Sequence, residues 1–312
     1  MINTKILGIA MMLMGSLAFG QLSSTGVSPS GVLDGVYIQQ HIPTKKVVSY
    51  ASLREADVMW SKRIWRTIDV QQKLNFPLFY PERPLTDRMS LWDIIKYGLE
   101  TEGSLTPYVI NGEGIKYDFD GEFLYPLLPP NGNTKDEAYT KSMTELLYST
   151  SQDPKLDENG EPMYDDEGDD IYVTSKEPVT ADQIIKYYVK EDWFFDKQRS
   201  VMDVRIIGIS PVINEFDEQG EEKGEKQLFW LYFPECRYVF QNYFVYNRQN
   251  DAQRMSFDDL FWKRMFASYI HKESNVYDRE VSLYEKNGIK ALLLSEKIKN
   301  EMLLIEHDLW HL

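Results

Sequence analysis

The chain has 312 residues, with 34 Lys and Arg against 49 Asp and Glu, and a single cysteine. A formal charge of −15 argues against tracking nucleic-acid phosphates and against adsorption to anionic lipid, both of which need a basic surface. One cysteine excludes an internal disulfide framework, while 43% hydrophobic and 13% aromatic residues supply core enough for one or two domains.

Residues 1–20 read as a signal peptide. Lys5 gives a positive n-region, Ile6 to Leu17 an apolar run, and Ala18-Phe19-Gly20 a small-x-small cleavage site before Gln21. No Cys stands at that site, so the expectation is an exported, soluble chain without a lipid anchor of its own. No later stretch reaches the ~18 apolar residues of a spanning helix. Cys236, after Pro234-Glu235, reads as a small buried residue.

Residues 21–50 are Ser/Gly/Pro-rich and then β-like, as in Gly35-Val36-Tyr37-Ile38. They form an extended N-terminal arm, either a disordered tail or a strap docked on a neighbour. Ser52 with Glu55 is a capping-box pattern, and Leu53, Trp60, Ile64 and Ile68 fall on one side of a helix to about Leu74. Trp60 and Trp65 interleave there with Lys62, Arg63 and Arg66, which reads as core plus a solvated basic face. The two prolines of Phe76 to Pro81 predict extended chain. Ser90 opens a helix that Gly98 weakens or Gly103 ends.

Segments F-Y-P-E-R and R-M-S-L-W-D within residues 79–93 are echoed by Y-F-P-E-C-R and R-M-S-F-D-D within 232–259. Duplication would give two related α+β modules, 51–150 and 176–271; chance resemblance gives the same echo. Residues 104–130 alternate short β-like pieces with Gly and Pro, and Asp136 to Tyr148 suits a short helix. Residues 151–175 form an acidic loop or hairpin, with turns at Asn159-Gly160 and Glu167-Gly168 and acids at Asp165, Asp166, Asp169 and Asp170.

The second module starts with a helix from Ala181 carrying Ile184, Ile185 and Tyr188, then an aromatic corner around Trp193. Residues 201–209 alternate as a strand, 216–226 read as a charged loop, and 228–233 as a strand buried on both faces. Ser256 with Asp259 caps a helix whose Phe257, Phe261, Met265 and Tyr269 step by four. Residues 272–312 then predict a C-terminal helical hairpin: a short helix from Asn275 and Asp278 to about Lys286, with Asn287-Gly288 supplying a left-handed residue that ends it. In the second helix Ala291, Leu294, Ile298, Met302, Ile305 and Leu309 place an apolar stripe against a core or a partner. The fold class is α+β, with mixed helices and short antiparallel strands.

Motifs for chemistry are sparse. His307 and His311 have the i, i+4 spacing of zinc helices, but Asp308 holds the base position and neither His41 nor His271 is identifiable as a third ligand. The run from Lys155 to Asp166 resembles part of an EF-hand loop with Lys at the first ligand position, so a solvated or partner-facing loop is the better reading. There is no nucleophile elbow and no phosphate-binding glycine motif. Glu191 and Asp192 beside Trp193 are the best acid pair for a glycosidase, and nothing lifts them above background. No catalytic residue, metal site or cofactor is assigned.

Three C-terminal runs, S-N-V-Y-D-R, A-L-L-L-S-E-K-I-K and E-H-D-L-W, follow two upstream ones, W-F-F-D-K and L-F-W-L-Y-F-P-E-C-R. In this order, across most of the chain, they resemble the GldN/PorN family. The resemblance implies a non-enzymatic structural subunit of the type IX protein secretion system, the export and gliding machinery of Bacteroidetes. It implies a periplasmic place, held to the outer membrane through a lipoprotein partner of the GldK/PorK type. It also implies self-association in a large ring and contact with the periplasmic part of GldM/PorM. His307 belongs to the E-H-D-L-W packing signature in this reading.

A ring needs heterologous contacts, and aromatic and Arg side chains are the usual anchors. The candidate partner contacts are therefore Trp60, Arg63, Trp65, Arg66, Asp165, Asp166, Asp169, Asp170, Trp193 and Trp310, with the C-terminal hairpin read as core before interface. The alternative from another class is an exported carbohydrate-binding protein or glycoside hydrolase with a surface aromatic platform.

Overall fold

Strand β1 (Val58–Asp69) occupies the stretch where the spacing predicts a helix. Trp60, Ile64 and Ile68 are four apart, a step that fits one face of a helix and equally one face of a strand, where side chains repeat every second residue. β-branched and aromatic residues decide for the strand. The Ser52/Glu55 signal yields only a single 3-10 turn, Glu55–Asp57, without a side-chain cap.

The computed structural model describes residues 46–85, 88–110, 117–154, 172–216, 222–247, 250 and 253–309. The leader and most of the arm, the four aspartates 165, 166, 169 and 170, the EF-hand-like run, Trp310 and His311 lie outside the described residues.

A similar exchange of helix for strand occurs after Thr180. Its capping box with Gln183 is real but supports one 3-10 turn, Ala181–Gln183, after which β5 (Ile184–Asp196) runs straight through the expected helix and aromatic corner. β6 (Val201–Phe216) extends the expected strand, and part of the expected charged loop is β7 (Glu222–Gln227), paired antiparallel to β6. β8 (Phe229–Tyr232) is the apolar strand, with Phe229, Trp230 and Leu231 buried. With β2 (Pro107–Val109) and β11 (Tyr269–Glu273), these strands form one antiparallel sheet in the order β11-β1-β5-β6-β8-β2, β7 branching from β6. β1 and β2 come from the expected first module and β5 to β8 from the second. The two segments thus share one sheet, and residues 46–312 form one compact unit.

The helices are more regular. α1 (Phe76–Phe79) replaces the expected extended segment because Pro77 sits in the first turn, where its missing N–H is not needed. α2 (Leu91–Glu100) starts as expected at Ser90, whose Oγ accepts the Asp93 N–H at 3.1 Å. α3 (Glu137–Leu147) is capped by Asp136 and leads into a β-hairpin, β3 (Tyr148–Pro154) with β4 (Tyr172–Pro178). α4 (Phe233–Phe240) follows β8 directly. α5 (Phe257–Trp262) has the full Ser256/Asp259 capping box but ends two residues before Arg264, whose φ is 54°; Tyr269 belongs to β11, not to the helix. A short pair, β9 (Phe244–Val245) and β10 (Met255–Ser256), closes this corner.

The C-terminal hairpin is α6 (Val281–Tyr284), a single turn, and α7 (Gly288–Leu309). Gly288 begins α7 and is not left-handed; Asn287 caps it by accepting the Ile289 N–H at 3.0 Å. In the expected stripe Ile298 and Met302 are buried and Ala291, Leu294 and Ile305 half-buried.

One face of the sheet carries the main core. Ile68, Tyr187, Val189, Ile209, Phe229 and Leu231 meet α2, α4 and α5, with Met143 and Leu147 of α3 joining. A smaller cluster lies further along β1, where Ile64 and Ile270 meet Val281, Ile298 and Met302. On the opposite face, Trp65 and Trp230 pack with Ile110 beneath the loop around residue 120.

Candidate functional site

Between the two clusters of the covered face lies a buried charge knot, built on adjacent strands. Alternation along β1 puts Ile64, Arg66 and Ile68 on that face, and β5 pairs so that Glu191 stands opposite Ile64. Glu191 is fully buried. Its Oε2 accepts from Arg66 Nε at 3.1 Å, Trp193 Nε1 at 2.9 Å and Arg264 Nη2 at 3.1 Å, while Arg264 Nη2 also lies 2.8 Å from Oε1. Both guanidinium groups sit over the Trp193 ring, at 5.7 and 5.3 Å. Burial pulls the Arg66 pKa below its ordinary value, against the attraction of Glu191. One carboxylate facing two arginines is a structural cross-link, and burial shuts it off from solvent.

Asp192 points to the other face, where Arg63 clamps it with two hydrogen bonds of 2.7 and 2.8 Å. Glu191 and Asp192 therefore cannot act as an acid pair on one substrate, because neighbours along a strand face opposite ways. On this second face three donors hold the loop across the sheet. Trp65 Nε1 donates to the Asp120 carbonyl at 2.9 Å, Trp230 Nε1 to that of Phe119 at 3.1 Å, and Lys190 Nζ to that of Gly121 at 2.7 Å. Gly121 has φ +68°, and a Cβ there would lie 2.8 Å from the Trp230 ring. Lys272 donates to both Asp120 oxygens at 2.7 Å and lies 2.8 Å from Asp278. Burial opposes its ammonium, but the two acids outweigh that cost and raise its pKa. His271 is held beside Thr67 Oγ1 at 2.9 Å and against the Tyr188 ring; burial, with Lys272 and Lys186 nearby, drops its pKa to about 3.

The candidate contacts in this region thus separate. Trp60, Arg66 and Trp193 share the covered face, the two tryptophans packing on the small cluster beneath α7. Trp65 and Arg63 lie on the opposite face, Trp65 buried under the loop and Arg63 open to solvent.

Sequence reading missed a third feature. Tyr50 stacks on Trp262 at 5.4 Å, and Arg237 lies against both rings at 4.6 and 4.9 Å while donating to Asp258 at 2.7 and 3.3 Å. Arg205 also lies over the Tyr50 ring, at 5.2 Å, and donates to the Ala51 carbonyl. A cavity of about 140 Å³ opens beside them. The signal is present as Arg237 in P-E-C-R and Asp258 after Ser256, but their separation of 21 residues carries no local period. Cys236 is buried in α4, and burial raises its thiol pKa far above the ordinary range. Among the described residues no three His, Cys, Asp or Glu side chains converge as a metal site, and no helix is long and apolar enough to cross a membrane.

Residues 53–311 match the family model described as gliding motility associated protein GldN. The chain belongs to the GldN family. No curated protein matches it. The matched span contains every element of the sheet, the charge knot and all of α7, so the GldN family assignment covers the whole described core rather than one motif. The chain is accordingly a gliding-motility-associated protein, and the GldN family is not a known enzyme family.

Proposed function

We propose that this GldN-family chain is a non-enzymatic structural subunit of the type IX secretion system. It is exported to the periplasm, self-associates in a large ring, and is held to the outer membrane by a lipoprotein of the GldK/PorK type. The periplasmic part of GldM/PorM meets the same assembly. The observation that carries the reading is the family match across residues 53–311. The site geometry agrees with it: Glu191, Arg66, Lys272, Asp120, Arg237 and Asp258 are each taken up by a partner within the fold. Ion pairs of this kind hold the shape of the fold.

A sugar platform finds less support. Of the tryptophans in the described residues only Trp262 is exposed, and its ring is stacked on Tyr50 and Arg237. The test is affinity purification from native envelope after mild crosslinking, with mass spectrometry and electron microscopy of the eluate. Stoichiometric recovery of one outer-membrane lipoprotein together with ring-shaped particles is the expected result. A lone monomer without that partner overturns the proposal.

A further inference from the structure

α7 is apolar on two opposite sides. Ile298 and Met302 turn inward onto the sheet, while Ile289, Leu292, Leu293, Leu303 and Leu304 are 52% to 72% exposed. Large apolar side chains grouped on the exposed side of a helix mark a surface that a partner covers. The outer face also has an internal symmetry about the level of Ile298. Leu292 and Leu304 lie six residues to either side of it, Leu293 and Leu303 five, and Glu296 and Asn300 two.

We propose that this outer face of α7 binds α7 of a second copy of the chain, antiparallel, about a two-fold axis opposite Ile298. A two-fold axis maps each position of a helix onto the one equally far on the other side of the axis. Leu292 then meets Leu304 of the second copy and Leu293 meets its Leu303, each twice. Glu296 meets Asn300, which can donate to it, and at the flank Lys290 meets Glu306. The same symmetry brings Lys297 towards Lys299, but each has an acid one turn away on its own helix, Glu301 at 3.8 Å and Glu296 at 4.0 Å.

A leucine side chain this exposed presents on the order of 100 Å² of apolar surface, so the five residues of two copies bury about 1,000 Å², the lower bound of a specific interface. An isologous contact of this kind closes as a pair and needs no ring, so it is independent of the secretion reading.

The test is sedimentation of the purified full chain at micromolar concentrations, with circular dichroism as the folding control. The chain should sediment as a dimer, and Leu293→Glu and Leu303→Lys, both at exposed positions, should each give folded monomers. Mixing the two variants should restore a dimer, because the carboxylate introduced in one chain then faces the ammonium introduced in the other. A monomeric unsubstituted chain, a dimer that survives Leu293→Glu, or a mixture that stays monomeric would each overturn the pairing. Loss of lipoprotein capture by Leu293→Glu from a chain that never dimerises would assign the face to that partner instead, leaving the ring reading intact.

Discussion

The two apolar compartments on the covered face of the sheet are built differently. The main one is enclosed on every side: Trp92, Phe229, Phe233, Phe240, Phe257 and Phe261 are essentially inaccessible, and Phe233, Phe240 and Phe261 pack edge-to-face or stacked on one another within about 7 Å. The second is a thin seam, with Ile64, Ile270, Val281, Ile298 and Met302 pressed between the sheet edge and a helix whose other side is bare. Between them runs the layer of Arg66, Glu191 and Arg264. The main compartment gives the fold its stability. The seam holds α7 in place to present a surface.

The sharpest way to break this division is to remove its boundary. Glu191→Leu leaves Arg66 and Arg264 facing each other without a counter-charge, and taking one partner from a buried ion pair costs about 3–5 kcal/mol. Urea unfolding should show that loss for the whole chain. A loss below ~1 kcal/mol would mean that the arginines swing out to water and that the layer is no barrier.

Next come truncations on either side of it. Phe261→Ala should cost ~3–5 kcal/mol, because the rings around it cannot close the cavity. Ile298→Ala should fall near the lower end of its range, about 2 kcal/mol, because α7 is free to settle inward. Equal losses measured in the same urea series would show that the seam is as rigid as the core.

How legible is this division in the sequence? The apolar stripe of α7 shows in its 3.6-residue period, and the Ser90, Asp136 and Ser256 caps in local chemistry. Steps of four mislead where strands share them, at Trp60, Ile64 and Ile68, and a capping pattern misleads where only a single turn forms, at Ser52 and Glu55. Trp60 and Trp193 stand out for their chemistry and pack on the cluster that holds α7, while Arg66 lies over the Trp193 ring. Trp65 and Arg63 are parted from them by the alternation of a strand, which a helical reading of the same residues cannot show. The Arg237–Asp258 pair and its Tyr50 lid depend on long-range packing, which no window of sequence displays.

Acid should act on the opposite face. His271 keeps a pKa of about 3 in the folded chain, below its ordinary value near 6.5, so the unfolded state binds the extra proton between those limits. Its contribution is complete above the unfolded pKa and is lost as pH falls towards 3. Relative to His271→Gln, the unsubstituted chain should lose stability with acid by at most one proton's slope, ~1.4 kcal/mol per pH unit. A difference that does not vary with pH in that window would place the imidazole in contact with water.

The smallest effect concerns how the seam is fastened. β11 is an edge strand, and an edge strand leaves outward N–H groups without a ladder partner. Ile270 N–H donates instead to Ser295 Oγ of α7 at 2.8 Å, and Ser295 is buried. Ser295→Ala keeps the close approach of helix to strand but leaves that N–H without an acceptor; the higher helix propensity of Ala offsets part of the loss, for a net cost of about 1 kcal/mol. The loss should be local. Hydrogen exchange should quicken at Ile270 and along α7 while β5 and β6 keep their protection. If protection fell equally in all of them, α7 and the main core would unfold as one unit, and the two compartments would be a single cooperative structure.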